Sequence, residues 1–392
     1  MFTPKQPKFI FTLDQCFHRA YEAGHVFRDV EIESVAKMLS CGTSKLGTIK
    51  YQCENKNCSH TKNIYATCKS KLCSSCGFKA TEQWISQQIN ILPDCKFRHI
   101  TFTMPDVFWD IFKLNRWLLN ALFSIAASTL LSHAKDKGLT IGIFSALHTY
   151  GRKLNFNTHI HLSLAEFGID KDGNVKPFSF PFVTLVKQWR YGIITLLRDN
   201  FSALILPPEL ALTGLHYDSW NNFLDVQYNR YWNVHIAKKT TKKEHTVKYL
   251  GRYLKKPPIG AARLAHYFGG DVTFEYLDHN TGTHKTLQLE QTEMMLRLLS
   301  HVPEKHFKMI RYFGFLSNRL RGQLLPIMYD KLGQKMESIK SFAFAAMMKN
   351  YLNIDPYECI LCGARMVFLG FIKGMRVKEL VSSVKDISKL RI

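Results

Sequence analysis

Carboxylates are the scarce charged group in this chain. Only 31 Asp and Glu stand against 53 Lys and Arg, a formal net charge of +22. That excess excludes an acidic solvating chain and points to a polyanionic partner, nucleic acid first and an acidic membrane surface second. Also missing is a run long enough to cross a bilayer. The most apolar stretch, 117–131, falls short of the roughly 20 residues required and is interrupted by Asn120, Ser124, Ser128 and Thr129. No membrane association is expected. The opening MFTPKQPKFIF has neither the apolar core nor the small-residue cleavage site of a signal peptide, so a cytoplasmic location is expected. No GxxxxGK[ST] element occurs, which removes P-loop ATPases and helicases. Repeats and low-complexity tracts are absent as well. What remains is an ordinary globular composition, 46% hydrophobic and 21% charged, over 392 residues, enough for two or three domains.

A cytoplasmic chain keeps its thiols reduced, so ten cysteines need a reason other than disulfides. Five of them fall within residues 46–80, a lysine-rich stretch too poor in aliphatic side chains to build an apolar core. Cys53-x4-Cys58 and Cys73-x2-Cys76 have the spacing of two zinc-ribbon knuckles, and the expectation is one structural zinc held by these four thiolates. Cys68 and His60 lie inside the cluster; either can replace a ligand, or Cys68 is a fifth, unused thiol. Lys62, Lys69, Lys71 and Lys79 put positive charge beside the knuckles. The distant Cys359-x2-Cys362 pair is left open between a half-site, a contribution to another zinc and simple packing.

The expected class is α+β. Residues 1–45 read as a helical segment, 46–90 as the zinc module, 91–290 as the main mixed domain and 291–392 as a mostly helical region carrying the CxxC. Within the main domain, 97–104 reads as a strand stopped by Pro105, 106–136 as a long helix, and 140–150 with 158–166 as a strand pair. A basic helix over 242–256 ends at Pro257–Pro258, and 271–278 with 284–290 form a hairpin.

Two constellations carry chemistry. In THIHLSLA, His159, His161 and Ser163 share one strand face while Ile160, Leu162 and Leu164 take the other. Two imidazoles fixed on a sheet face suit a divalent ion, whereas a lone HxH is commonly a surface or core pair. His148, at the end of the preceding strand, is the best third ligand, with His245 and Asn157 as rivals. The second constellation is Tyr249 and Tyr253, four apart and so on one helix face. Around them, from Lys238 to Arg263, are nine Lys or Arg and one acidic residue, Glu244. Lys238, Lys239, Lys242, Lys243, Lys248, Arg252, Lys255 and Lys256 are the candidate DNA contacts. Tyrosines at this spacing alone are usually packing groups. Combined with a metal pair, they supply what phosphodiester transesterification needs: charge neutralisation at the phosphate and a nucleophile that retains it.

HTYGRKLNFNTHIHL (148–162) resembles the histidine–hydrophobic–histidine (HUH) motif of single-strand endonucleases, and YLGRYLKKPPIG (249–260) resembles their two-tyrosine motif. CGTSKLG (41–47), FRHITFTMP (97–105), RYFGFLSNR (311–319) and DPYECILCG (355–363) follow the same pattern in order. Together they resemble the rolling-circle insertion-sequence transposases of the IS91 type. The resemblance implies an antiparallel HUH sheet flanked by helices and an N-terminal zinc-binding domain. It implies Tyr249 and Tyr253 as nucleophiles and His159 and His161 as ligands for Mg or Mn. Coordination chemistry favours Mn, since imidazole is soft for Mg. Family members often carry a further histidine just before the pair, where this chain has Asn157 and Thr158. The implied partners are single-stranded DNA at element ends, target DNA and the host replication machinery, in the bacterial cytoplasm at the nucleoid. A plasmid replication initiator or relaxase uses the same chemistry. A non-catalytic zinc-ribbon regulator explains the charge and the cysteines only.

Overall fold

The computed structural model describes residues 16–237, 242–254, 257–260, 263–266, 270–278, 281–335, 345, 348–349 and 353–383, with the side chains of 252–254 left undescribed. Helices in this range are α1 (Cys16–Glu22), α2 (Asp29–Leu39), α3 (Ser74–Ile91), α4 (Trp109–Leu114), α5 (Leu119–Asp136), α6 (Phe182–Asp199), α7 (Tyr217–Tyr228), α8 (Lys243–Leu254), α9 (Gln291–Ser300), α10 (Arg321–Lys331) and α11 (Val377–Ser382). Strands are β1 (Gly47–Cys53), β2 (Thr61–Tyr65), β3 (Phe97–Phe102), β4 (Thr140–Tyr150), β5 (Phe156–Ile169), β6 (Val175–Pro177), β7 (Val234–Ile236), β8 (Leu264–His266), β9 (Asp271–Leu277), β10 (His284–Glu290), β11 (Ile310–Gly314) and β12 (Met366–Lys373). The class is α+β.

A six-stranded sheet organises the molecule, in the order β11-β4-β5-β3-β7 with β6 beside β5, every pair antiparallel. Both faces are covered. One carries Ile100, Phe102, Ile141, Ile143, Leu147, Ile160, Leu162 and Leu164, packed with α5 and α6 residues such as Phe123, Leu130, Trp189 and Ile193 into the largest core. α5 belongs to Arg116–Asp136, a stretch long and apolar enough to cross a membrane. Here it is a core helix: Leu119, Leu122, Phe123, Ala126, Ala127 and Leu130 are buried. The second face carries Phe97, Phe144, Ala146 and Ala165 under α3 (Trp84, Ile85), α8 (Val247, Leu250) and α10 (Leu325, Met328).

The expected long helix over 106–136 is broken at Asn115. Its side chain donates to the carbonyls of Ile111 (2.8 Å) and Ile205 (2.7 Å) and accepts from the Ile205 amide (2.9 Å), tying the break to the loop around residue 205.

The ends of the chain depart most from the linear division. Helices α1 and α2 pack with β9 and α9 through Phe17, Val35, Met38, Phe274, Met294 and Leu298, so the first segment shares a core with residues 270 to 302. The 291–392 region contributes two strands beside its helices. β11 adds an edge to β4, and β12 pairs along the whole of β1, Gly47 opposite Lys373 through Cys53 opposite Met366. Strand preference depends on which neighbour supplies the ladder, and β12 finds its neighbour at the other end of the sequence. β1 is thus the centre of a β12-β1-β2 sheet.

Candidate active site and metal centres

Antiparallel pairing of β4 with β5 sets His148 opposite His159 and Ala146 opposite His161, so the three histidines share the face covered by α3 and α8. His148 Nδ1 and His159 Nε2 lie 3.0 Å apart, and one nitrogen from each of the three rings lies within 4.8 Å of the others. A single ion with metal–nitrogen bonds near about 2.1 Å holds neighbouring nitrogens about 3 Å apart, so the cluster fits one divalent ion. His159 Nδ1–H donates to the Asn157 carbonyl at 2.8 Å, which leaves Nε2 as its ligand nitrogen. Asn157 therefore serves through its backbone. His245, the other rival, is exposed on α8 and stands outside the cluster.

Burial pushes the pKa of His148 and His161 well below the usual imidazole range, and that of His159 to about 4. Neutral imidazole is the metal-binding form, so no proton has to leave before an ion enters.

The sequence reading missed His99. It sits on β3 opposite Ser163, where its Nε2 lies 3.1 Å from His161 Nδ1 and its Nδ1 lies 3.3 Å from Ser163 Oγ. Thr101 Oγ1 joins at 3.3 Å from His161 Nδ1. These contacts occupy one nitrogen of His161 and leave Nε2 for a ligand role. Alternation along 97–102 places His99 and Thr101 on one face, but only the β3–β5 pairing identifies that face as the histidine one.

α8 brings Tyr249 to the same place. The Tyr249 ring stands edge-on to His99, with centroids 4.7 Å apart and planes at 73°, and it is 38% exposed. Tyr253 lies one turn further along α8; its side chain, like that of Arg252, is outside the description. Lys242 and Lys248 are exposed and Lys243 half-buried. Lys238, Lys239, Lys255 and Lys256 lie outside the described residues.

α8 can approach α3 closely because Gly251 has no side chain. A Cβ there would sit 2.6 Å from Cγ1 and 2.8 Å from Cδ1 of Ile85.

The cysteines form two clusters where one was expected. Cys41, Cys68, Cys73 and Cys76 converge, with sulfur separations of 3.6 Å (Cys41–Cys76), 3.5 Å (Cys68–Cys76) and 3.7 Å (Cys41–Cys73). Cys53 and Cys58 join Cys359 and Cys362 instead. The single four-thiolate site built from Cys53, Cys58, Cys73 and Cys76 is therefore not what the fold assembles. Cys53 ends β1, which carries it toward β12, while Cys73 and Cys76 open α3. Cys68 is a full member of the first cluster, and Cys41, absent from the sequence-based set, completes it. Tetrahedral thiolates on zinc, at bonds of about 2.3 Å, lie about 3.8 Å apart, close to the spacings of this cluster. Hydrogen bonds from Cys41, Cys68 and Cys73 push the Cys76 thiol far below its ordinary pKa, while the thiols of Cys41 and Cys68 are pushed up, so the four behave as one group whose first thiolate is stabilised by its neighbours. Because Cys73 and Cys76 start α3, a metal here fixes the helix on which α8 rests.

Comparison with known proteins follows the same division. A family described as "Transposase zinc-binding domain" matches residues 12–104, and one described as "Putative transposase" matches residues 142–323. The transposase for insertion sequence element IS801 of Pseudomonas savastanoi pv. phaseolicola is 46% identical over 393 residues, covering 100% of this chain and 95% of its own length. The putative transposase y4qJ of Sinorhizobium fredii (strain NBRC 101917 / NGR234) is 29% identical over 332 residues, 82% of this chain and 83% of its own length. No solved structure matches the chain significantly.

Proposed function

The chain belongs to the IS91/IS801 insertion-sequence transposases, and from that premise we propose that it nicks single-stranded DNA at element ends through a 5′-phosphotyrosine and rejoins strands in rolling-circle transposition. The observation that carries this reading is the seating of Tyr249 over the face that gathers His148, His159 and His161.

A divalent ion, Mn or Mg, held by the three histidines would polarise the scissile phosphate and offset the charge that grows on it. The chain's own residues do the rest. Tyr249 or Tyr253 Oη attacks phosphorus and gives up its proton to solvent; the bond to the 3′ oxygen breaks, and that oxygen takes up a proton as the free 3′-OH. The new phosphotyrosine keeps the energy of the broken phosphodiester, so a later attack by a 3′-OH restores a DNA strand without ATP. Host polymerase would extend the freed 3′-OH. The second tyrosine would cleave again while the first still holds its strand. His99 and Thr101 orient His161, and α3 buttresses the tyrosine helix from behind. Lys242, Lys243 and Lys248, with Lys238, Lys239, Arg252, Lys255 and Lys256, would hold the strand's phosphates. Action on chromosomal and element DNA places the protein in the cytoplasm, at the nucleoid. A non-catalytic regulator leaves three buried converging histidines beside a tyrosine without a purpose.

The test uses labelled single-stranded element-end DNA with Mn or Mg. The wild type should form a covalent adduct that survives denaturation and is lost with EDTA. Tyr249→Phe/Tyr253→Phe should form none. A wild type without adduct, or a double variant with undiminished adduct, refutes the mechanism.

A further inference from the structure

Cys53, Cys58, Cys359 and Cys362 form a group separate from the histidines, and the mechanism makes no use of them. Their geometry is specific. Sulfurs of Cys53 and Cys362 are 3.4 Å apart, those of Cys58 and Cys359 are 3.8 Å apart, and all four lie within 4.8 Å of one another. A disulfide needs about 2.05 Å, and four thiolates on one zinc lie about 3.8 Å apart.

The backbone is shaped to present these thiols. Residues 357–366 fold back in a tight hairpin: the Cys359 amide donates to the Ala364 carbonyl (2.8 Å), the Gly363 amide to the Cys359 carbonyl (2.8 Å) and the Met366 amide to the Tyr357 carbonyl (2.8 Å). Gly363, directly after Cys362, has φ +73°, a conformation that favours glycine and turns the chain back after the second thiol. His60 Nδ1 lies 3.1 Å from Cys359 Sγ, within reach to donate to a bound thiolate.

The surroundings explain why something must hold this region. Among the described residues its apolar core consists of Cys53, Cys359 and Met366, with Tyr51, Cys58, Tyr357 and Ala364 packed against it. The strand that the hairpin feeds keeps its large side chains outside: Phe368 is 63% and Phe371 59% exposed. So small a core does not secure a three-stranded sheet closed by the two ends of a chain.

We propose that Cys53, Cys58, Cys359 and Cys362 bind a second zinc ion, distinct from the Cys41–Cys68–Cys73–Cys76 site, which clasps the C-terminal hairpin and β12 onto the N-terminal module. The ion is structural: four protein thiolates fill its tetrahedral shell. Each thiol gives its proton to solvent as the zinc–sulfur bond forms, and no oxidant takes part.

The experiment uses the full-length protein purified without chelator, with zinc measured by plasma mass spectrometry. Two zinc per chain are expected. Cys359→Ser/Cys362→Ser should retain one, and Cys68→Ser/Cys76→Ser should also retain one. A second measurement on the unaltered protein avoids any folding defect of the variants. Iodoacetamide labelling followed by peptide mass spectrometry should find Cys53, Cys58, Cys359 and Cys362 protected together and released together by chelator. One zinc in the wild type, two zinc persisting in Cys359→Ser/Cys362→Ser, independent labelling of the four thiols, or a Cys53–Cys362 disulfide would each overturn the assignment.

Discussion

The crossing of α3 and α8 at Gly251 yields a prediction whose sign depends on a single neighbouring residue. In an unobstructed helix Gly→Ala stabilises by about 1 kcal/mol, because alanine loses less backbone freedom on folding. At Gly251 the added methyl would meet Ile85 Cγ1 at 2.6 Å, where carbon atoms ordinarily settle about 3.5–4.0 Å apart. Either Ile85 leaves its rotamer or the helices part by about 1 Å, and such overpacking costs about 1–3 kcal/mol. Gly251→Ala should then be destabilising on balance, by up to about 2 kcal/mol. Ile85→Ala removes the obstructing atoms, at its own cost of about 2–5 kcal/mol for the cavity. In that background the same Gly251→Ala change should stabilise by up to about 1 kcal/mol. Denaturant midpoints of the four proteins, measured with zinc present, give the coupling directly. Tyr249 rides on the displaced helix, and a shift of this size can lower catalysis by about a hundredfold. Adduct formation should accordingly fall in Gly251→Ala while zinc content holds. A Gly251→Ala protein as stable as the wild type, or one that loses the same stability in both backgrounds, would refute the close-crossing argument.

Three more outcomes are expected. His99→Ala should weaken Mn binding by about 10–100-fold through the lost orientation of His161, with zinc content unchanged, as read by Mn titration under electron paramagnetic resonance; unchanged affinity would remove His99 from the site. His301 is buried, its Nε2–H donating to the Leu154 carbonyl at 3.0 Å, and burial holds its pKa near 3 against an ordinary 6.5. The fold therefore favours neutral His301: its contribution is complete above pH 6.5 and is lost as pH falls toward 3, at about 1.4 kcal/mol per pH unit. Replacing His301 with Gln should lower the slope of unfolding free energy between pH 6.5 and 5 by up to about 1.4 kcal/mol per pH unit, leaving the part due to His148, His159 and His161, and an equally steep profile in the variant would contradict it. Lys248 is exposed beside Tyr249, so Lys248→Ala should reduce the slope of log affinity for single-stranded DNA against log salt by about 0.7, whereas a phosphate-independent role leaves the slope unchanged.

What the sequence made legible was local. Alternation through β5 separated Ile160, Leu162 and Leu164 from His159 and His161, and the strand pair placed His148 across from His159. The helical spacing of Tyr249 and Tyr253 and the stop at Pro257 outlined α8. The thiol partnerships were not legible, because spacing logic pairs cysteines that are close in sequence. The fold instead joins Cys53 to Cys362 through a β1–β12 ladder whose partners no local pattern announces. His99 was hidden for the same reason. Its alternation was visible, but its meaning required knowing that β3 lies beside β5. The exposed, nearly continuous apolar run of β12 shows no period of two, so its strand character comes only from its partner.

The β1–β12 ladder also sets a clock on the ribosome. Cys53 and Cys362 are 309 residues apart, so at about 5–20 residues per second the first is made roughly 15–60 s before the second. Throughout that interval β1 has β2 on one side and an open edge on the other. A message broken or a reading frame shifted between Tyr253 and Met366 yields a product that keeps the histidines and tyrosines but never closes this sheet. For this transposase, completion of β12 is therefore the step that gives the N-terminal module its second neighbouring strand.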